Sequence, residues 1–361
     1  MFFRLNNVID HPCFKMLEIV NSLLWAVVND HKFGPGIFPS WFKSTYNRAT
    51  SVQSDLRDVH TQLLKESLAK RQAIYSQFIN NNAIELICDN TAYPIESNIG
   101  WNTKSGKVLK ELMITLYEKL DLAVFKQKRG DPKPLHCYYS DFIKKNSYVC
   151  PFCFINQYKN RLSPKREDLD HYFCKSIYPL IAANMHNLVP MCSECNQTYK
   201  REEKIALDGV NRVPVFYPYS DIPEIELNIN CIRYPSYQEI DDNGDWSADL
   251  VCSDPAQQPK VENWNRVFDI RQRIASEVSE FHQDWIDSSL QYDDPDVFSD
   301  LAEFRQYLID SSNKLYILAK RRNEPKTLIK AALYKYLSQH GDEKFLKSFM
   351  RQYESIKRAA A

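Results

Sequence analysis

Apolar residues recur at helical spacing over most of this chain. From Phe14 to Val28 they fall three and four apart. The same period returns from Val52 to Ile79, where Leu56, His60, Leu63 and Leu64 share a stripe. Leu109, Leu112, Met113, Leu116 and Leu120 mark a third helical run between Ser105 and Phe125. Gly34-Pro35-Gly36 and Pro39 interrupt the pattern as a loop, and Asp131-Pro132-Lys133-Pro134 reads as a linker closing this region. Beyond residue 213 the period falls to two. Ile225-Glu226-Leu227-Asn228-Ile229 alternates as a half-buried strand does, and Asn243-Gly244 supplies turn residues, so a few short strands are expected. From about residue 260 the helical period resumes, over Trp264–Ser288, Val297–Arg321, Pro325–Ser338 and Asp342–Arg358. Pro325 suits a first helical turn. The pattern predicts a mainly α protein with a small α+β insert, divided as residues 1–135, 136–210 and 211–361.

Composition narrows the class. The 361 residues are 44% apolar and 25% charged, ordinary values for a globular protein. Lys plus Arg equals Asp plus Glu at 46 each, so a nucleic-acid partner would need a local basic surface or a second protein to deliver it. No stretch is long and apolar enough to span a membrane. The nearest, Leu17–Val28, is broken by Glu18, Asn21 and Ser22 and lacks a basic leader, so a cytoplasmic location is expected.

The ten cysteines are unevenly spread. Cys150/Cys153 and Cys192/Cys195 form two Cys-x-x-Cys pairs; Cys13, Cys88, Cys137, Cys174, Cys231 and Cys252 are scattered. Without a secretion signal this reads as metal plus free thiols, not as a disulfide framework. Two such pairs suit structural Zn²⁺, which favours tetrahedral thiolate ligands. Thirty-eight residues separate the pairs, more than a minimal zinc ribbon needs. His136 and Cys137, just upstream, are weaker ligand candidates and read better as packed residues beside a linker.

Inside the clamp the chain carries Asp170-His171-Tyr172, then His186-Asn187-Leu188-Val189-Pro190-Met191-Cys192, then Cys195-Asn196 and Lys200. An Asp-His, a central Asn-Leu and an Asn directly after the last cysteine, in that order, resemble the HNH (ββα-metal) endonuclease family. The branch with two cysteine pairs, of the endonuclease VII type, is the nearest. The resemblance covers about 55 of the 361 residues. It implies a two-stranded hairpin near 168–173 and 185–190 packed on a helix starting near Cys192. It also implies roles: Asp170 and Asn196 holding a catalytic Mg²⁺ or Mn²⁺, His171 as general base, and Asn187 pinning the loop that carries His171. The last family position is often His, and here it is Asn196.

The chemistry agrees with that reading. A carboxylate with an amide oxygen suits a hard cation, and an unperturbed imidazole titrates near pH ~6.5, suitable for a general base. Adjacent strand residues point to opposite faces, so a local bend is expected to let Asp170 and His171 serve one site. Asn196 and Lys200, four apart, share a helical face; Lys200 is a candidate phosphate contact, with a solvated helix lysine as the alternative. His186 is expected to face core or solvent. From Phe142 to Lys204 ten Lys/Arg face six Asp/Glu, a surplus of four positive charges. Lys144, Lys145, Lys159, Arg161, Lys165 and Arg166 gather around the first knuckle, either as phosphate-positioning groups or as an ordinary solvated loop.

These readings converge on a metal-dependent endonuclease with DNA as the favoured substrate. An RNA-directed nuclease and a non-catalytic zinc-ribbon binding module are the alternatives. In general make-up the chain is similar to HNH subunits of bacterial anti-phage systems, the Septu and retron-linked nucleases, which implies an ATPase partner.

Overall fold

The computed structural model describes every residue except 49, 96–99, 127–132, 236–241, 294–297 and 361. Asp131 and Pro132 of the expected linker, and Val297 at an expected helix start, therefore lie outside the described residues. The chain is mainly helical with small antiparallel sheets. Contacts group the described residues into two units: Leu5–Asn146 with Lys159–Ser220, and Met1–Arg4 with Ser147–Tyr158 and Asp221–Ala361.

The first unit holds α1 (Met16–Val28), α2 (Ser40–Tyr46), α3 (Thr50–Leu63), α4 (Leu68–Asn82), α5 (Ile84–Asp89), α6 (Lys104–Glu118) and α7 (Pro134–Asn146). The apolar stripe of α1 buries Ile19, Val20, Leu23, Leu24 and Val27, and α1 packs on α3 and α4. The run expected from Val52 to Ile79 is two helices. The first ends at Leu63, and Ser67 caps α4, its hydroxyl accepting the Lys70 N–H at 3.3 Å. Helix α6 packs on α3.

A short hairpin completes this unit. Strands β1 (Leu169–His171) and β2 (Leu188–Pro190) pair antiparallel, with Asp170 opposite Val189 and His171 opposite Leu188. Two three-residue strands cannot hold themselves together in water. Their connection supplies the missing burial: Leu180, Ile181, Ala182 and Ala183 are fully buried, and the turn Pro179–Ile181 packs on α4 and α6. Polar contacts fix the same seam. Asn82, at the end of α4, donates to the Leu180 carbonyl at 3.1 Å, and the Asn184 amide donates to the Asn82 carbonyl and side-chain oxygen at 3.2 and 3.1 Å. The hairpin therefore belongs with the N-terminal helices. Strands β3 (Leu207–Asp208) and β4 (Asn211–Arg212) form a minor ribbon.

The second unit is built on β5 (Ile225–Arg233) and β6 (Asp245–Cys252), paired from Ile225–Cys252 to Arg233–Asp245 with alternating burial. They are followed by α8 (Gln258–Phe268), α9 (Ile270–Asp293), α10 (Leu301–Arg321), α11 (Thr327–His340) and α12 (Glu343–Ala360). Helices α9 and α11 pack on the hairpin. The stretch expected as one helix from Trp264 to Ser288 breaks at Asp269, whose φ of 50° ends α8 in the left-handed region. The segment Ser147–Tyr158 lies in this unit because its carbonyls and amides are bonded there. Trp264 donates its indole N–H to the Phe152 carbonyl at 3.0 Å, Lys326 its backbone N–H to the Phe154 carbonyl at 2.8 Å, and Val149 its N–H to the Arg322 carbonyl at 3.3 Å.

If helix packing holds the hairpin, Ile181→Ala should lower stability by about 2–5 kcal/mol, the range for a truncated core aliphatic. Urea unfolding checks this; a loss below about 0.5 kcal/mol would mean that the seam carries little of the fold.

Candidate functional site

Cys150, Cys153, Cys192 and Cys195 form a four-cysteine cluster. Their sulfurs all lie within 4.8 Å of one another, and all four residues are buried. The first knuckle closes tightly. The Phe154 N–H bonds the Cys150 carbonyl at 2.9 Å, the Ile155 N–H points at the Cys153 sulfur at 3.4 Å, and Val149 bridges Gln157. Phe154 takes a left-handed φ of 57°, a conformation unfavourable for a side chain of this size. Its ring is held edge-on by Phe2 and Phe3 at 5.7 and 6.0 Å. In the second pair the Asn196 N–H returns to the Cys192 carbonyl at 3.0 Å. Zn–S bonds of about 2.3 Å need sulfurs about 4 Å apart, so the cluster can hold Zn²⁺. His136 and Cys137 lie on α7, outside the cluster.

The hairpin carries the Asp-His pair. His171 is buried, and its Nε2 lies 3.0 Å from the Ala182 carbonyl. A carbonyl only accepts, so Nε2 carries the hydrogen and Nδ1 is left as the basic nitrogen. Burial first, then the Lys175 charge, pushes the imidazole down to about 3, with the Ala182 bond acting the other way. The ring rests on Tyr117 of α6 at 4.4 Å between centroids, and Lys175 lies 4.5 Å over that same Tyr117 ring.

Asn187 is fully buried and clamps the chain just after His171. Its side-chain oxygen accepts the Phe173 N–H at 2.7 Å, its amide donates to the Phe173 carbonyl at 3.0 Å, and its own carbonyl accepts the Tyr172 N–H at 2.8 Å. His186 is not on a strand. It lies in the turn Met185–Asn187, bonded to the Tyr217 hydroxyl at 3.2 Å and packed on Phe14.

The helix expected after Cys192 is a π-helical segment, Glu194–Lys200, closed by the bond from Arg201 N–H to the Asn196 carbonyl at 2.9 Å. Such wide turns are rare and concentrate at functional sites. The segment holds half-buried Asn196 and, at its end, Lys200.

Lys200 is fully buried, so it is not the solvated helix lysine that the sequence offered as an alternative. Its ammonium lies 2.8 Å from Asp170 Oδ2 and donates to the His171 carbonyl at 2.9 Å. Burial pushes the Asp170 carboxyl above its usual range, and the Lys200 ammonium pulls it back. The ladder runs through both Asp170 and His171, with Asp170 paired to Lys200 of the π-helical segment and the His171 ring against Tyr117 of α6.

Pattern reasoning missed Tyr117, Lys175, Asn82 and Asn184. Tyr117 looked like one more position of an amphipathic helix. Of the basic residues near the first knuckle, Lys144 is paired with Asp141 at 3.0 Å and Lys159 with Glu167 at 3.4 Å, so part of that charge is spent locally.

No family model and no solved structure matches the chain. A stretch of 117 residues is 33% identical to the protein ea31 of Escherichia phage lambda, covering 32% of this chain and 33% of that protein. The chain thus spans about a third of that relative's length. Among the described residues, no helix is long and apolar enough to cross a membrane.

Two measurements check this geometry. Elemental analysis should find zinc bound by the four thiolates, and Cys192→Ser should abolish it. The second is acid stability. Above about pH 6.5 the imidazole of His171 is neutral whether the chain is folded or not, and it contributes no pH dependence. As pH falls from there toward 3 the unfolded chain takes up a proton that the folded one refuses, so stability is lost by up to about 1.4 kcal/mol per unit. Unfolding curves at pH 7 and 4.5 should diverge less in His171→Gln than in the wild type.

Proposed function

We propose that this protein is a metal-dependent endonuclease of the HNH type, hydrolysing phosphodiester bonds with His171 as general base. One observation carries the reading: an imidazole whose Nε2–H is committed to the Ala182 carbonyl, leaving the Nδ1 lone pair as its proton acceptor, on a chain that Asn187 clamps at the next turn. A base that must meet a water in one geometry needs both a fixed tautomer and a held backbone. The four-cysteine cluster beside the residues Asp-His, Asn187 and Asn196 supports the same reading.

The donor chemistry fits a divalent cation. Asp170 and Asn196 offer a carboxylate and an amide oxygen, a set for Mg²⁺ or Mn²⁺, and the Lys200 ammonium lies 2.8 Å from Asp170 Oδ2. When bound there, such an ion neutralises charge on the phosphate and the leaving oxygen. His171 then accepts a proton from water onto Nδ1. The water oxygen bonds to phosphorus, the bond from phosphorus to the leaving sugar oxygen breaks, and that oxygen takes a proton from solvent. Lys175, held over Tyr117 and acting on the imidazole through its charge, is a further cation placed to meet a phosphate.

DNA is the proposed substrate, and an ATPase the proposed partner in a bacterial anti-phage role. A second reading, a zinc-stapled binding module without catalysis, draws on one observation, the neutralisation of Asp170 by Lys200. Plasmid DNA and total RNA incubated side by side with Mg²⁺ or Mn²⁺ separate the cases. The proposal expects divalent-dependent scission of DNA, lowered about 10²–10⁴-fold in His171→Ala with zinc content unchanged. Scission of RNA alone would move the substrate. Binding without scission of either would favour the second reading.

A further inference from the structure

The candidate site already contains a cation. Lys200 and Asp170 pair at 2.8 Å with side chains only 1% and 8% exposed, and the same ammonium holds the His171 carbonyl. Lys200 lies four residues beyond Asn196 on one π-helical segment, so the element offering the amide oxygen to a metal also delivers the ammonium that neutralises the metal's carboxylate. We propose that the Lys200 ammonium and the divalent cation compete for Asp170, so that the ion pair sets the metal affinity of the site. This rests on the nuclease reading for the metal itself.

The physical case is one of charge. As it stands, one carboxylate answers one ammonium. A divalent ion bound about 2.1 Å from the same carboxylate would stand within a few ångströms of that ammonium, where little water screens the repulsion. Binding therefore requires either that Lys200 withdraws along its flexible stem or that a further negative group enters. A phosphodiester is such a group. Metal and nucleic acid then favour each other's binding, and the coupling is reciprocal. The free protein holds divalent ions weakly, which keeps a hydrolytic site idle until substrate arrives.

Mn²⁺ binding read by electron paramagnetic resonance tests this without any cleavage. Lys200→Met should bind Mn²⁺ at least about tenfold more tightly than wild type, Lys200→Arg should remain near wild type, and Asp170→Asn should abolish the added affinity. Equal or weaker binding by Lys200→Met would overturn the proposal. Should that variant not fold, nitrogen NMR of the lysine ammonium groups in the wild-type protein carries the same test. The Lys200 signal, assigned by its loss in Lys200→Arg, should shift when Mg²⁺ and a DNA oligonucleotide are added to protein carrying His171→Ala, and no shift at saturating Mg²⁺ would contradict it. Competition at Asp170 without cleavage of any nucleic acid would retain this inference and remove only the nuclease reading.

Discussion

A lysine ammonium taken fully out of water must be answered by an anion and by carbonyl oxygens, and Lys200 is answered by Asp170 and by the backbone of His171. The pair joins the two parts of the candidate site. It draws β1 onto the π-helical segment, and with β1 come the carboxylate and the imidazole. Removing one member of such a buried pair costs about 3–5 kcal/mol, because the other is left uncompensated. A merely structural link would serve as well with two apolar residues of similar volume. A charged pair at this place brings a neutralised carboxylate that another cation can claim.

The hairpin that carries the pair is too small to fold alone. Helices α4 and α6 cover its connecting turn, and Asn82 and Asn184 tie the backbone at the seam. Helix α6 then does more than cover apolar surface, since it brings Tyr117 against the His171 ring. The long N-terminal region thus has a local purpose as scaffold. The first cysteine knuckle is fixed in the same way by Trp264 and Lys326, far along the chain.

Much of this was legible from spacing. Helical period marked α1, α6, α10, α11 and α12, alternation marked β5, and the two Cys-x-x-Cys pairs marked a cluster that forms as a buried four-cysteine group. The breaks were harder to see. The apolar spacing runs on across the gap between Leu63 and Leu68 and across Asp269, so it does not mark either break. Lys200 was opaque for a different reason. A lysine beside other charged residues reads as solvated, and only the tertiary position of Asp170 decides otherwise. The partners of His171 were equally hidden: Ala182 contributes a carbonyl, which every residue has, and Tyr117 lies 54 positions upstream.

Asp170 is proposed as common ground for an ammonium and a divalent cation. Crystals grown with Mn²⁺ and a DNA oligonucleotide, with data collected at the manganese edge, show which of the two holds it. An anomalous peak beside Asp170 and Asn196 is expected, with the Lys200 ammonium moved off the carboxylate. Lys200 still seated on Asp170, with no manganese beside it, would overturn the proposal.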